Sequence, residues 1–344
     1  MMAAMSRLGR IARELGRFIP ADAVRALGRP AAVFFHGVEA TTIDPRLQVN
    51  HHETKAFVQI VRTLKRDFDV LPLAAIDDVL KAPDRFPRAV FLMSDDGYAN
   101  TLSVAADLLE ELRLPWSLFV STHHIDTGER NPIFLALLFA YRAPAGRYAI
   151  DHLPQPIVLG GSRDAIAEQL VWQLRALDMV SAQQAVDAMT AAFEPQALQD
   201  LLATFASERF LNWDEVRELH RRGVTIGAHA KRHWPMNLSQ TPSMLREQAA
   251  GAKARIEEQV GPCRYFSYPF GNKGDICRAA WHAVRDAGYD CAFTTLSGSL
   301  DAASNRFLLP RYGIEPRAPH LATLIAMLRA GNGRVARWQA ELSA

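Results

Sequence analysis

The feature that most constrains this chain is a recurring unit of form. A short apolar run rich in β-branched or aromatic residues leads into a turn, and a helical pattern follows. Seven such runs are found, at Ala31–Phe35, Ala89–Met93, Trp116–Ser121, Val224–Ala228, Arg264–Tyr268, Asp290–Thr294 and Phe307–Ile314. Helical patterns follow or separate most of them, at Glu53–Phe68, Thr101–Leu112, Trp213–Arg222, Ser243–Val260 and Ile276–Ala287. Gly223 and Gly288 sit just past two of these helices, where a left-handed cap is wanted. Strands that alternate with helices pair in parallel, and seven such units close most economically into a barrel. With 344 residues, 49% hydrophobic and 22% charged, the chain has the length and composition of such a barrel, not of a disordered or fibrous protein.

One stretch breaks the alternation. Residues 123–208 show little strand character beyond Gln155–Leu159 and carry helical patterns at Asp164–Leu177, Ala182–Phe193 and Pro195–Phe205. They predict a mostly helical insertion between the third and fourth strands, and insertions on the C-terminal face of a barrel commonly shape the pocket. The expected organisation is a basic N-terminal segment (1–29), a barrel built from 30–122 and 209–330, the pocket-shaping insertion 123–208, and a C-terminal tail 331–344.

Charge and cysteine usage narrow the partners. A net charge of +2, from 39 basic and 37 acidic residues, gives no global field pointing to nucleic acid. Cys263, Cys277 and Cys291 show no CxxC spacing, cannot form a closed disulfide set, and predict reduced thiols in the core. The longest mostly apolar run, Ile133–Tyr141, is too short to span a bilayer. Met1–Arg29 is locally basic, with six arginines against Glu14 and Asp22, and Leu8, Ile11, Leu15, Phe18 and Ile19 recur at helical spacing. Arginines interrupt every apolar stretch there, unlike a secretory signal, so the expected location is the cytoplasm. Two readings of the segment stand: a surface helix packed on the barrel, or a basic amphipathic helix in peripheral contact with the inner, anionic membrane face.

The chemically competent residues fall just after the strands, where barrel enzymes place their sites. His36 follows AVFF, Asp95 and Asp96 follow AVFLMS, His229 and His233 follow VTIGA, Pro269-Phe270-Gly271 follows YFSY, and Arg311 lies inside FLLPRYGI. Two adjacent carboxylates leaving a buried strand are unfavourable unless a cation or a base role compensates them. They point to different sides, so one can bind metal while the other faces substrate; a solvated Asp-Asp-Gly turn is the plain alternative. His229 and His233 are expected to meet on one side of a helical turn, at a spacing suited to a shared metal. With one aspartate they form a two-histidine, one-carboxylate set with open positions, which zinc suits, as do other divalent metals. His36 is either a hydrogen-bond donor at the barrel mouth or a satisfied strand-end histidine. The adjacent pairs His51-His52 and His123-His124 predict surface or loop roles.

Three of these segments, in order, resemble the strand-end motifs of the NodB-like polysaccharide deacetylases, carbohydrate esterase family four. They are Ser94-Asp95-Asp96-Gly97, Gly223–His233 with its trailing Pro235, and Phe266-Ser267-Tyr268-Pro269-Phe270-Gly271. The opening FFHGV and the Asp44-Pro45 stretch also resemble members of that family, and the likeness covers 30–122 and 209–315. It implies an α/β fold, the distorted (β/α)7 barrel of the NodB-like type, here with a mostly helical insertion. It implies Asp95 as general base and Asp96, His229 and His233 as ligands of a divalent metal, with zinc the expected ion. It also implies a backbone N–H near Phe270 as oxyanion donor. Tyr268, Arg311 and His36 complete the expected set of groups around substrate and oxyanion.

The sequence departs from the family in two places. The arginine that many members carry in the third motif is replaced by Ser267. The late Leu-x-x-His motif, whose histidine serves as general acid, reads Leu308-Leu309-Pro310-Arg311. Arg311 replaces the missing arginine's charge, binds an anionic group of the substrate, or forms a structural salt bridge. His320, the nearby late histidine, falls on the helical pattern Pro319–Leu328 and reads as non-catalytic. The expected activity is metal-dependent removal of an N-acyl (acetyl or formyl) group from an amino sugar, as a nucleotide- or lipid-linked precursor in cell-surface polysaccharide synthesis. A non-sugar amide hydrolase and a non-catalytic saccharide-binding barrel are the alternatives.

Overall fold

The runs that read as strands are apolar at nearly every position, which suits strands covered by helices on one face and by a barrel interior on the other. The computed structural model describes residues 29–314 together with Pro316, Trp338 and Leu342. Its main sheet holds β1 (Ala31–Phe35), β2 (Ala89–Ser94), β3 (Ser117–Val120), β4 (Thr225–Ala228), β5 (Tyr265–Ser267), β6 (Cys291–Phe293) and β7 (Tyr312–Gly313). Their spatial order is β6-β5-β4-β3-β2-β1-β7, all pairs are parallel, and a short extra strand, Asp69–Val70, flanks the start of β2. β7 pairs with β1, Tyr312 opposite Val33, and Leu309 just before it bridges to Phe293 of β6. The last segment therefore closes the sheet on itself, and the seven-stranded barrel is present. Its seam is irregular where a longer strand was expected, because Pro310 has no N–H for a ladder and the N–H of Arg311 turns to Leu296 O at 3.0 Å.

Side-chain alternation divides the core into two layers. Phe34, Phe91, Met93, Phe119, Tyr265, Phe293 and Leu309 pack inside the barrel with Leu73, Ile76 and Val79. Val33, Leu92, Leu118, Ile226, Phe266 and Ala292 face the other way, onto helices such as Thr54–Asp67, whose stripe is Phe57, Ile60, Val61 and Leu64. Each such fully buried side chain contributes roughly 1.5–3 kcal/mol. The helix Trp213–Arg221 begins with a capping box, in which Asn212 accepts from Glu215 N–H and Glu215 accepts from Asn212 N–H. Two helices expected to be continuous each contain a π-turn, at Thr101–Ala106 and Glu247–Gly251.

Between β3 and β4 lie the helices Thr122–Thr127, Pro132–Arg142, Arg163–Ala176, Met179–Thr190 and Pro195–Thr204, with a small antiparallel pair, Gly146–Tyr148 and Ile157–Leu159. From Pro132 onward they share a core of their own that includes Leu138, Phe139, Leu170, Leu174, Val186 and Met189, whereas Ile125 of the first helix packs with the barrel core. The helix Pro132–Arg142 occupies the apolar run that is too short to cross a membrane. It starts where it does because the Asn131 side chain accepts from Ile133 N–H at 2.9 Å and Pro132 takes the first helical position. Among the described residues no helix is long and apolar enough to cross a membrane. The expected basic N-terminal helix, the helix Pro319–Leu328 with His320, and all but Trp338 and Leu342 of the tail lie outside the described residues.

Candidate active site

The alternation that fills the barrel also sorts the polar groups above it. Asp95 continues the inward row of Phe91 and Met93, His36 that of Phe34, Ser267 that of Tyr265, and Arg311 that of Leu309. His229 continues the row of Gly227, where a Cβ would stand 2.6 Å from the inward Phe119 ring. Five polar side chains thus converge on the barrel mouth. Asp96 falls on the outward row, yet its backbone is left-handed (φ 75°) and so is that of Gly97 (φ 89°), which redirects the chain. Aspartate tolerates that region better than most residues, whereas at Gly97 a Cβ would also press on Val120 at 3.1 Å.

Asp96, His229 and His233 are all buried, and their ligating atoms lie within 4.8 Å of one another. Nε2 of His229 stands 3.2 Å and Nε2 of His233 3.0 Å from Asp96 Oδ1. Neither Asp96 oxygen accepts a well-formed hydrogen bond. Nδ1 of His229 is 2.8 Å from Ser267 O, an acceptor only, which places a proton on Nδ1 and leaves Nε2 to face the carboxylate. A buried carboxylate oxygen facing an imidazole nitrogen at that distance needs a proton or a cation between them. Burial pulls the His229 pKa down, but Asp95 and Asp96 outweigh it and leave it raised. Burial pushes Asp96 up, but His233, His36 and His229 hold it well below the carboxylate range. This donor set, one hard oxygen and two imidazoles with an open side, fits a divalent ion such as zinc.

The expected helical turn for His229–His233 is not there. Ala230 is left-handed (φ 60°), and the N–H groups of Lys231 and Arg232 donate to the main chain (3.1 Å) and side chain (2.6 Å) of Gln248. Gln248 sits in the π-turn Glu247–Gly251. The two imidazoles still meet, with ring centroids 5.0 Å apart.

Arg311 resolves the three-way reading made from sequence. It is fully buried and pairs with Asp95 bidentately, Nη1 to Oδ1 at 2.9 Å and Nη2 to Oδ2 at 2.7 Å. Ser267 Oγ accepts from Arg311 Nη2 at 2.8 Å and lies 3.2 Å from Asp95 Oδ2. The guanidinium also donates to Thr294 O and lies 4.2 Å above the Phe34 ring. Arg311 thus forms a buried salt bridge with Asp95 from the residue just before β7, and Ser267 Oγ joins the pair. It does not line the pocket, so the expectation that it contacts substrate is corrected. Burial pushes the Asp95 carboxyl up, while Arg311 and His229 outweigh it and keep the pKa lowered.

A pocket of about 400 Å³ opens over these groups. His36, Asp95, Asp96, His229, His233, Phe270 and Thr295 line it from the barrel, and Asn131, Ile133, Phe134, Leu137 and Glu208 from the segment between β3 and β4. Among the described residues no lysine or arginine lines it. His36 is half-buried with its ring edge-on to Phe34, and burial holds its pKa low against the pull of Asp96 and Asp95. Phe270 is left-handed (φ 60°); its carbonyl accepts from Thr295 Oγ1 at 2.5 Å, and its N–H meets no acceptor among the described residues.

Other expectations are corrected. Tyr268 is on the outward row, fully buried, and its hydroxyl donates to Phe307 O at 3.1 Å, so it faces the helical layer instead of substrate. His51, His52 and His124 are core residues, not surface ones. His51 Nε2 lies 3.1 Å from buried Glu208, and His52 Nε2 meets Ile314 O at 2.9 Å. His124 stacks on Phe210 and is pushed down to about 3, by burial first and then by His233 and His123. Sequence reasoning misses Tyr98 and Glu208, both buried on the pocket wall. Tyr98 directly follows the Asp-Asp-Gly turn and is findable from that position; Glu208 ends the insertion and carries no motif.

The comparisons follow the same lines. A family model described as polysaccharide deacetylase matches residues 83–292, a span that holds Asp95, Asp96, His229, His233 and Phe270 but neither His36 nor Arg311. No curated protein matches the chain by sequence. Among solved structures, the Streptococcus pyogenes deacetylase PplD in complex with acetate is 14% identical, over 87% of this chain and 98% of that one, with a TM-score of 0.57. IcaB from Ammonifex degensii is 14% identical, over 87% and 97%, with a TM-score of 0.53. A de-N-acetylase from Aggregatibacter actinomycetemcomitans is 15% identical, over 87% and 100%, with a TM-score of 0.52. At such identities the likeness concerns the fold.

Proposed function

The chain belongs to the polysaccharide deacetylase family, and from that premise we propose that it hydrolyses the N-acyl amide of an amino sugar with a divalent metal, zinc the best-suited ion. The observation that carries this reading is a single juxtaposition. A buried Asp96 faces two imidazoles with no well-formed hydrogen bond to either oxygen, one residue from an Asp95 held ionised by Arg311 at the floor of the pocket.

Asp96, His229 and His233 would hold the ion. Once bound, it would polarise the acyl carbonyl and acidify water. Asp95, kept charged and oriented by its two bonds to Arg311, accepts the proton of the attacking water. The free N–H of Phe270 is offered to the oxyanion that develops on the acyl oxygen. The C–N bond then breaks, and the departing amine needs a proton. Asp95, which holds the proton taken from water, returns it to that amine in place of the missing late histidine, and His36, whose pKa burial lowers, offers a hydrogen bond from the pocket wall. Water is added across the amide, giving a free carboxylic acid and the amino sugar.

The pocket also bears on the substrate. Its apolar wall of Ile133, Phe134 and Leu137 faces carboxylates, an arrangement suited to the apolar face and hydroxyl edge of a sugar. For a nucleotide- or lipid-linked precursor, the sugar is the part that suits this pocket, whose described wall is apolar and acidic. A cytoplasmic site of action, with membrane contact through residues 1–29, belongs to the same proposal. Asp95→Asn decides the core of it. The variant should keep its metal and fold while release of acetate or formate from N-acyl amino-sugar oligomers falls by about 10²–10⁴. Unchanged turnover in Asp95→Asn would reject the base assignment. A wild type that binds saccharide but hydrolyses none would favour the non-catalytic barrel.

A further inference from the structure

We propose that Arg175, on the insertion helix Arg163–Ala176, is a positioning residue for this site: it locks the strained turn Pro269–Asn272 and so makes hydrolysis depend on the insertion. The proposal rests on the hydrolase reading above and goes beyond it, because the segment between β3 and β4 becomes part of the machinery and not only a wall.

The turn needs outside support. Phe270 and Gly271 are consecutively left-handed (φ 60° and 66°), and for a bulky residue such as Phe270 that conformation persists only where surroundings enforce it. On one side Thr295 does so: its Oγ1 donates to Phe270 O at 2.5 Å, and its N–H to Gly271 O at 3.0 Å. The approach is close enough that a Cβ on Gly271 would stand 2.7 Å from Thr295 N. On the other side the support is Asp275, a buried carboxylate whose Oδ2 accepts from Asn272 N–H at 2.9 Å. Asp275 in turn is held by Arg175, with Nη2 at 2.6 Å and 2.7 Å from its two oxygens.

The same guanidinium covers the Phe270 ring, 4.6 Å above its centroid, while that ring lies 4.9 Å from the ring of His233. One side chain therefore fixes both the backbone of the turn, through Asp275, and the ring that packs against a metal ligand. Its helix is itself anchored to the loop that follows His233. Arg175 O accepts from Asn237 Nδ2 at 3.1 Å, and Ala176 O from Ser239 Oγ at 2.7 Å, which satisfies carbonyls that a helix end leaves open. Arg175 stands where the insertion touches two of the site's loops at once.

The test compares wild type with Arg175→Ala and Arg175→Lys, reading kcat, KM, bound metal and thermal stability on an acetylated amino-sugar oligomer. Arg175→Ala should lower kcat by about tenfold to a hundredfold, the usual effect of removing a group that orients the groups in contact with substrate, with metal content kept and KM moving little. Arg175→Lys should restore stability by neutralising Asp275 but not kcat, because an ammonium lacks the planar face that covers the Phe270 ring. If Arg175→Ala fails to fold, the neutral pair Arg175→Gln with Asp275→Asn removes the lone buried charge and decides in its place. Wild-type kcat in the folded variant, or a loss that only tracks lost metal or lost folded protein, overturns the proposal. An inactive wild type would overturn the hydrolase reading instead, so the two failures are distinguishable.

Discussion

Replacing Arg311 with methionine should destabilise the protein mainly through Asp95. Methionine keeps most of the volume but leaves a fully buried carboxylate without its two guanidinium bonds. Breaking a buried ion pair from one side costs about 3–5 kcal/mol, a large part of the roughly 5–15 kcal/mol that holds a folded protein together. The same substitution made on Asp95→Asn meets no stranded charge and should cost much less. Urea unfolding of wild type, both single variants and the double variant should therefore give a coupling of at least about 2 kcal/mol at pH 7. The pH dependence has a definite sign. The folded Asp95 pKa is depressed, so its stabilisation is complete above the unfolded value of about 3.9 and is lost as pH falls through the folded value. The gap between wild type and Arg311→Met should thus narrow in acid, while the acid limb of the variant's activity moves to higher pH. If Arg311→Met costs as much in the Asp95→Asn background as in wild type, the reasoning is refuted, because Arg311 would then act through packing alone.

Three further outcomes are expected. His233→Ala should lose bound zinc together with hydrolysis, and in wild type the apparent metal affinity should fall as pH is lowered. The ion competes with a proton on His229, whose pKa is raised, and calorimetry in buffers of different ionisation heat would show proton release; pH-independent binding would contradict this. Tyr268→Phe should leave kcat and KM unchanged and cost about 1 kcal/mol in stability, since only the bond to Phe307 O is lost; a large kcat effect would return Tyr268 to the site. Deleting residues 1–29 should release the protein from anionic vesicles without altering hydrolysis of a small amide, with attachment of the full chain weakening as salt rises. A full-length chain that ignores such vesicles at low salt would leave the segment packing on the barrel.

Much of the fold and most of the site could be read from the sequence, and the errors share a physical origin. The strands were legible because their apolar runs are short, bounded and buried on both faces; β1 falls on its expected residues. Asp95, Asp96 and His229 were legible because each stands at a strand end, and His233 because it follows His229 at a ligand spacing. Tyr268 was misplaced because the motif, not the alternation, was followed. Counting by twos from inward Tyr265 puts Ser267 in the mouth and Tyr268 outside it. The partner of Arg311 was not decidable, since it depends on the last strand docking beside β1, two strands from β2, a contact spanning 216 positions. The buried histidines were misjudged for a related reason: their partners Glu208, Ile314 and Phe210 are distant in sequence.

Because Arg311 immediately precedes the closing strand, the order in which the chain leaves the ribosome has a chemical consequence. The candidate ligands Asp96, His229 and His233 and Asp95 itself emerge well before residue 311, and β1 waits with one edge unpaired until β7 arrives to cover it. A nascent chain halted after Phe293 would hold Asp96, His229 and His233 and still lack the guanidinium that pairs with Asp95. Arrival of the last segment therefore covers the free edge of β1 and completes the Asp95–Arg311 pair in one step.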